Sequence, residues 1–407
     1  RFSIERNATM KIALISPYDL AVAGGVNTHV AYLAEHFRAL DHTVRIIGPA
    51  SDTPVMGTEP EVIAIGRPRP FPASGSIVRI AVNPRIGGEV RAVLDQQQFD
   101  VVHVHEPLMP LLPIEFLRFS DAVNVGTFHA AKDGGNRLYQ YSARLLKRWF
   151  RRLDGKIAVS PAAERLVGRY FAGYYNIIPN GVTISRFTNQ QPLPQFMDGK
   201  RNVLFVGRME KRKGLKYLLR AFIAVKSEMP DARLIVVGEG KLRTGYERSM
   251  QLAGIPDVVF AGYVPDSQLG RYYASAHVFC APNTANESQG YVLLEAMAAG
   301  RPVVASNIEG FAGVVTHGVE GFLCLPKDAD ALALGLVHML ADHESRAAMG
   351  RRAHARAEEF GWDRIAQRVL SYYERLLYER QLAKVSGPPN PPTPFPRKEG
   401  GVLSSEG

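Results

Sequence analysis

A chain of 407 residues exceeds what one hydrophobic core covers, since cores stop growing at roughly 250–300 residues, so two domains are expected. With 46% hydrophobic and 22% charged residues it has the balance of a folding globular protein, which excludes a disordered chain. Lys and Arg outnumber Asp and Glu by 49 to 39, a net charge of +10 that points to anionic partners; nucleic acid is excluded as one, because the basic residues are not interleaved with stacking aromatics.

Residues 1–6 lack the long apolar stretch of a secretory signal, and Met10 is a candidate start. The apolar run 10–16, ended by Pro17, predicts a buried parallel strand. Gly24 and Gly25 follow, and then Val26, Val30, Leu33, Phe37 and Leu40 recur at helical intervals, the stripe of a helix packed on a sheet. Residues 43–47 form the next strand. His103 and His105 alternate along a strand face, but no third ligand stands at metal spacing, so no metal site is expected. The strand pattern 124–127 leaves His129 at its carboxyl end, facing a cleft, although a lone histidine is more often packed than catalytic.

Residues 137–153 predict a helix with Arg144, Lys147, Arg148, Arg151 and Arg152 on one face and Leu138, Tyr141, Leu145, Trp149 and Leu153 on another. It reads either as a helix lying on an anionic membrane or as a domain helix with a solvated basic face. The strand–helix rhythm restarts at 202–207, with a helix over 217–225, and continues through strands at 233–238, 258–260, 277–280 and 302–305. Such alternation predicts an α/β fold of two Rossmann-like domains, whose parallel sheets face each other across a cleft. The polar, proline-bearing stretch 188–194 divides residues 10–190 from residues 191–361, and the proline-rich tail 386–407 is expected to be disordered. Cys280 and Cys324 sit in apolar settings, which argues against a disulfide framework and for a reducing, cytoplasmic compartment.

The segment 281–300 passes from polar loop to helix. A loop ending at a helix N-terminus offers unpaired N–H groups and positive dipole charge, a seat for a diphosphate. Gly290 lets the backbone come close, Glu295 is placed for a ribose diol, and Glu287 for a transferred sugar. The same acidic pair also reads as a stabilised helix start, worth roughly 0.3–1 kcal/mol. Arg208 and Lys213, in the turn 207–214, read as cations for a departing diphosphate or as a solvated basic turn. Gly238-Glu239-Gly240 is half a dinucleotide fingerprint, too little for a dehydrogenase.

Together these pieces resemble the retaining GT-B glycosyltransferases, most closely their phosphatidylinositol alpha-mannosyltransferase branch, from Lys11 to about Arg380. The Glu-x7-Glu motif at Glu287 and Glu295, followed by Ala296-Met297-Ala298-Ala299-Gly300, is the most specific element. Gly24-Gly25-Val26, His103-Val104-His105-Glu106-Pro107, Thr127-Phe128-His129, Ile178-Pro179-Asn180-Gly181-Val182 and Gly207-Arg208 with Lys213-Gly214 accompany it. The resemblance implies a hexosyltransferase that takes a nucleotide sugar, GDP-mannose favoured, to phosphatidylinositol, with no metal and no tightly bound cofactor. It implies that Arg208 and Lys213 bind the diphosphate, Glu287 the sugar and Glu295 the ribose, while Gly25 approaches the phosphates. Val264, Ser288, Gln289, Gly290, Tyr291 and Val292 complete the donor site. His129 contacts the sugar or guides the acceptor, and Arg79 and Lys132 hold the acceptor.

The last helix, about 362–382, is implied to cross back to the first domain, and closure to bring Glu287 to His129. The enzyme would then be cytoplasmic, peripheral on the inner membrane face, with its oligomeric state left open. The chain departs from the branch at Ala73 and Ser74, where the branch has a Tyr-Asn pair, and in a thin polybasic helix with mainly Arg85 and Arg91. The same chemistry on a soluble sugar or polyol, and a non-catalytic nucleotide-sugar-binding module, are the competing readings.

Overall fold

In the computed structural model, which describes residues 9–386 except 23, 53–60, 74, 75, 84 and 133, both halves of the chain repeat the strand–helix unit. The tail 387–407 and the departure at Ser74 lie outside the described residues. The first half runs β1 (Lys11–Ile15), α1 (Gly25–Ala39), β2 (Thr43–Gly48), β3 (Val62–Ala64), β4 (Pro68–Ala73), β5 (Ser76–Ala81), α2 (Gly87–Gln97), β6 (Val101–His105), α3 (Leu112–Phe119), β7 (Val123–Phe128), α4 (Arg137–Phe150), β8 (Gly155–Ala158), α5 (Pro161–Gly168) and β9 (Asn176–Ile177). The second runs β10 (Arg201–Val206), α6 (Leu215–Glu228), β11 (Ala232–Val237), α7 (Arg243–Leu252), β12 (Val258–Gly262), α8 (Asp266–Ser275), β13 (Val278–Ala281), α9 (Tyr291–Ala298), β14 (Val303–Ser306), α10 (Glu309–Ala312), β15 (Gly321–Cys324), α11 (Ala329–Ala341) and α12 (His343–Glu358). The chain closes with α13 (Trp362–Ser386).

The sheets are ordered β3-β2-β1-β6-β7-β8-β9 and β12-β11-β10-β13-β14-β15, and every pairing within them is parallel. The expected pair of parallel-sheet domains is therefore present. Continuous apolar runs suit strands covered on both faces: all five residues of β6 and all six of β11 are buried. In the first domain α1 and α13 cover one face, and α2 to α5 cover the other. Each sheet reverses its strand order beside its first strand, between β1 and β6 and between β10 and β13. Crevices outside the carboxyl ends of strands at such points are where doubly wound folds bind ligands.

The chain enters the second domain earlier than its composition indicates. Val182, Phe187 and Leu193 pack in the second core with Leu204 and Tyr273, so the polar stretch 188–194 belongs to that domain. The two crossings lie side by side: Val182 N donates to Phe360 O at 2.8 Å, and Trp362 N donates to Val182 O at 3.3 Å. Gly181 is flush with the Trp362 indole, where any Cβ would collide. Beyond this point Trp362, Ile365, Val369 and Tyr373 pack against Ile12, Phe37 and Val125, so α13 returns to the first domain.

Besides the short strands β3, β8 and β9, two elements that shape the cleft domains had no counterpart in the sequence pattern. One is the antiparallel ribbon β4–β5, which carries Arg79; the other is β15, the edge of the second sheet. Both cysteines are unpaired thiols. Among the described residues no helix is long and apolar enough to cross a membrane.

Candidate active site

The second domain builds its side of the cleft from the turns after β10 and β13. Gly214, at φ 71°, packs so closely on the Pro282 carbonyl that only glycine fits, and this seats the 207–214 turn against the loop that holds Glu287. Glu287 Oε1 accepts from Lys213 Nζ at 2.6 Å, from Asn283 Nδ2 at 2.9 Å and from the Arg212 guanidinium. Burial alone would raise the Glu287 carboxyl, yet Lys213 and Arg212 beside it hold it below its ordinary range. Burial pulls Lys213 down in spite of that carboxylate. Glu287 is thus a fixed anion in a cationic nest.

Gly290, at φ 86°, turns the loop into α9, whose first N–H groups have no partner within the helix. One turn later, Glu295 Oε2 accepts from the Tyr273 hydroxyl at 2.8 Å. Burial pushes Glu295 above the usual carboxylate range, against the opposing pull of Tyr273 and Arg186. Across the cleft α1 begins at Gly25, and the Tyr291 hydroxyl donates to Gly25 O at 3.4 Å. Two helix N-termini therefore face each other. At the α1 N-terminus lies a cavity of about 540 Å³ lined by Tyr18, Asp19, Gly24, Gly25, Arg79 and, from the second domain, Arg208, among others. Asp19 accepts from Ser51 N at 3.0 Å and Ser51 Oγ at 2.7 Å, and it pairs with Arg79 at 3.5 Å.

The first domain supplies a cluster of imidazoles. His103 and His105 stack with ring centroids 4.3 Å apart; His105 Nδ1 lies 3.0 Å from His129 Nε2; His29 stands edge-on to both His105 and His129. Thr127 Oγ1 lies 2.6 Å from His103 Nε2, and the Tyr373 hydroxyl bonds the other nitrogen of that ring. Burial keeps the rings neutral: His29 is lowered to about 4, His103 to about 3, and His105 and His129 well below their ordinary value. Glu106, at φ 49°, accepts from the backbone N–H groups of His129 and Ala130 at 2.8 and 2.9 Å, which fixes the loop that carries His129.

Asn180 links the walls at their base. His29 Nδ1 lies 2.9 Å from Asn180 Oδ1, while Asn180 N and Nδ2 donate to Gln289 Oε1 at 2.7 and 2.9 Å. Gln289 Nε2 returns a bond to Asn180 O at 3.1 Å. A second pocket, of about 270 Å³, is lined by His129 and Lys132 from one domain and by Arg212, Glu287 and Ser288 from the other. His129 and Glu287 thus already share a pocket.

Residues 187–356 match the Glycosyl transferases group 1 family, and residues 23–186 match Glycosyltransferase Family 4. The chain is 34% identical over 382 residues to phosphatidyl-myo-inositol mannosyltransferase of Mycolicibacterium smegmatis, covering 94% of this chain and 98% of that one. The chain belongs to the GT-B glycosyltransferases of group 1. It is also 29% identical over 389 residues to D-inositol 3-phosphate glycosyltransferase of an Arthrobacter species, covering 86% and 90% of the two. Among solved structures, sucrose-phosphate synthase of Thermosynechococcus elongatus superposes with a TM-score of 0.73 at 23% identity, over 91% of this chain and all of that one, which supports the fold.

In this glycosyltransferase the expected residues divide into three groups. Arg208 and Gly25 line the first cavity, Glu287 and Ser288 line the second with His129 opposite, Lys213 bonds Glu287, Tyr291 reaches Gly25, and Glu295, one turn into the helix that follows Gly290, is held by Tyr273. Arg79 and Lys132, both expected to hold the acceptor, line different pockets, Arg79 beside Arg208 and Lys132 beside Glu287. The side chains of Gln289 and Val264 are taken up within the protein. The Gln289 amide is buried and taken up by Asn180, and the Val264 side chain packs in the second core, as does that of Val292 in part. The reason given against a metal site also needs correction. His29, His105 and His129 come together, with ligand atoms within 4.8 Å of one another, because α1 and β7 deliver rings that no local spacing foretells. Sequence reasoning gave no role to Arg212, Tyr273, His29 or Asn180. Only Asn180 carried a signal, as part of the Pro179-Asn180-Gly181 motif.

Proposed function

We propose that this glycosyltransferase moves mannose from GDP-mannose to the inositol of phosphatidylinositol, with retention at the anomeric carbon and without a metal ion. The observation that carries the reading is the 540 Å³ cavity, which holds Arg208 and the α1 N-terminus together with Arg79. One concave site then seats both the donor diphosphate and a phosphate on the acceptor. The full-length similarity to a phosphatidyl-myo-inositol mannosyltransferase supports the same choice.

In this mechanism the diphosphate lies between Arg208, Lys213 and the first turn of α9, while Glu295 takes the ribose diol. Glu287 orients the sugar hydroxyls, and His129 borders the face on which the acceptor arrives. An inositol hydroxyl attacks the anomeric carbon from the side on which the diphosphate leaves. The new carbon–oxygen bond forms as the sugar–phosphate bond breaks, and the hydroxyl proton passes to the departing phosphate oxygen. The cations and helix dipoles stabilise the charge that develops on that oxygen, and such preorganised electrostatic stabilisation is usually what lowers an enzyme's barrier most.

Purified protein given GDP-mannose and phosphatidylinositol in detergent micelles should form mannolipid and release GDP. Turnover of another nucleotide sugar with GDP-mannose inert would overturn the donor, and transfer only to free inositol phosphate would overturn the lipid. The Arthrobacter relative makes that soluble acceptor the specific second reading. Nucleotide release also separates an enzyme from a binding module.

A further inference from the structure

The proposed reaction uses the imidazole cluster only through His129, which leaves His29 and His105 to be accounted for. Among the described residues, His29, His105 and His129 are the one such trio, with ligand atoms all within 4.8 Å of one another. Their rings form a nearly equilateral triangle: centroids are 5.2 Å apart for His29 and His105, 4.9 Å for His29 and His129, and 5.2 Å for His105 and His129. Three imidazoles bound tetrahedrally through nitrogen at about 2.0–2.1 Å have ring centres roughly 5.2 Å apart and ligand atoms roughly 3.4 Å apart. The fold therefore already sets the ring spacing of such a site, and the rings need only turn in place.

The hydrogen bonds leave nitrogens free to ligate. Asn180 Oδ1 can only accept, so His29 Nδ1, 2.9 Å away, carries the proton and Nε2 keeps its lone pair. A ring N–H held by an oxygen acceptor is the usual support of a metal-ligating histidine. His105 Nδ1 faces His129 Nε2 at 3.0 Å, and His105 Nε2 is buried with no hydrogen-bond partner among the described residues. Buried polar atoms left in that state are rare. His103 beside them differs, because Tyr373 and Thr127 take both of its nitrogens. His29 and His105 are 2% and 0% exposed, whereas His129, on the loop after β7, borders the 270 Å³ pocket and gives an ion its way in.

We propose that His29, His105 and His129 bind a divalent transition-metal ion, zinc foremost, with its fourth position open to the pocket, and that the bound ion inhibits the enzyme. Imidazole suits Zn2+, Ni2+ and Cu2+, while Mg2+ and Ca2+ demand oxygen ligands. The ion is not needed for the transfer. It pins His129 at the edge of the face on which the acceptor arrives, and it adds positive charge to a pocket where Lys132 and Arg212 already outnumber Glu287. The inhibition rests on the transfer reaction proposed above; the binding does not.

Titrating the chelator-treated protein with Co2+, a coloured substitute for zinc, tests the site alone. The wild type should develop the strong visible absorption of four-coordinate cobalt at one ion per chain; Zn2+ should bleach it and Mg2+ should not. His129→Gln alters a loop residue and should weaken binding by more than about a hundredfold, beyond what loss of a supporting hydrogen bond costs a metal site. His29→Gln should do the same. No absorption in the wild type, or an unchanged titration of His129→Gln, overturns the proposal. In the micelle assay Zn2+ should slow GDP release, Mg2+ should not, and a chelator should restore the rate. Cobalt bound through the trio with turnover indifferent to Zn2+ would overturn the inhibition and leave the metal site standing. No turnover of any nucleotide sugar, with the cobalt absorption intact, would remove the proposed function and again leave the site.

Discussion

On the donor wall Glu287 sits among Lys213, Arg212 and Asn283, all from two short loops, whereas on the opposite wall His29, His103, His105 and His129 come from three elements and stay neutral. The donor wall keeps its charges by pairing them, and a bound diphosphate can compete for the same cations. The imidazole wall avoids charge, and its hydrogen bonds run inward to Thr127, Tyr373 and Asn180. A charged wall can exchange partners with a substrate; in the neutral one His129 borders a pocket while the buried rings behind it hold shape. If that contrast is right, changes on the donor wall alter turnover with little effect on folding, and changes on the imidazole wall alter both.

The largest effect is expected at Glu287. Glu287→Gln keeps the size and the bond to Asn283 but removes the anion to which the proposed mechanism gives the sugar. Turnover measured by nucleotide release should fall by roughly 10²–10³, with the melting temperature close to wild type. A variant that turns over like wild type would dissolve the assignment of this wall.

Asn180 should show the opposite balance. Asn180→Ala leaves His29 Nδ1 buried without its partner, at a cost of about 1–3 kcal/mol, and takes from Gln289 Oε1 the side-chain donor while the backbone donor remains. Denaturant unfolding should give a loss of about 1–3 kcal/mol, and kcat should drop as the walls lose register. A cycle with Gln289→Ala should show coupling of about 1 kcal/mol or more. Strict additivity would mean that the two side chains do not act as the clasp between domains.

Acid sharpens the same contrast. His29 in the fold titrates at about 4 and His103 at about 3, against about 6.5 in an unfolded chain. Between those limits the unfolded chain binds protons that the fold refuses. The stability from these rings is therefore fully present above about pH 6.5 and is lost as the pH falls toward 4 and then 3. For His29 the loss is on the order of 3 kcal/mol. Melting temperatures that stay flat from neutral pH down to about 4.5 would show that the cluster is already open to protons.

The donor wall was legible in the sequence because its chemistry is local. Glu287 and Glu295 lie on one loop and the helix it starts, and Arg208 and Lys213 share one turn. The imidazole wall was legible only in pieces: His103, His105 and His129 stood out as strand positions, while His29 looked like one more residue on an amphipathic helix. The ribbon β4–β5 escaped because Pro68, Pro70 and Pro72 argue against a strand. All three have the same parity, so their missing N–H groups fall on one edge, and the ribbon forms with Pro70 opposite Arg79. Helix α4 contains two apolar rows of helical spacing, and only contacts with Phe171 and Tyr175 decide which of them is buried.

The smallest effect, and the most diagnostic for the acceptor, is expected at Arg79. Its pair with Asp19 is half exposed at 3.5 Å, and exposed pairs contribute little to folding, so Arg79→Ala should melt like wild type. A charge-assisted bond to an acceptor phosphate is worth about 1.5 kcal/mol or more, which predicts a rise of about tenfold in KM for phosphatidylinositol and little change in kcat or in KM for the donor. The difference should shrink as salt rises, because that bond is open to screening. An acceptor without a phosphate should not distinguish variant from wild type. If Arg79→Ala raises KM for the donor instead, the whole 540 Å³ cavity serves the nucleotide sugar, and the acceptor must then enter beside Lys132 and His129, where α4 begins.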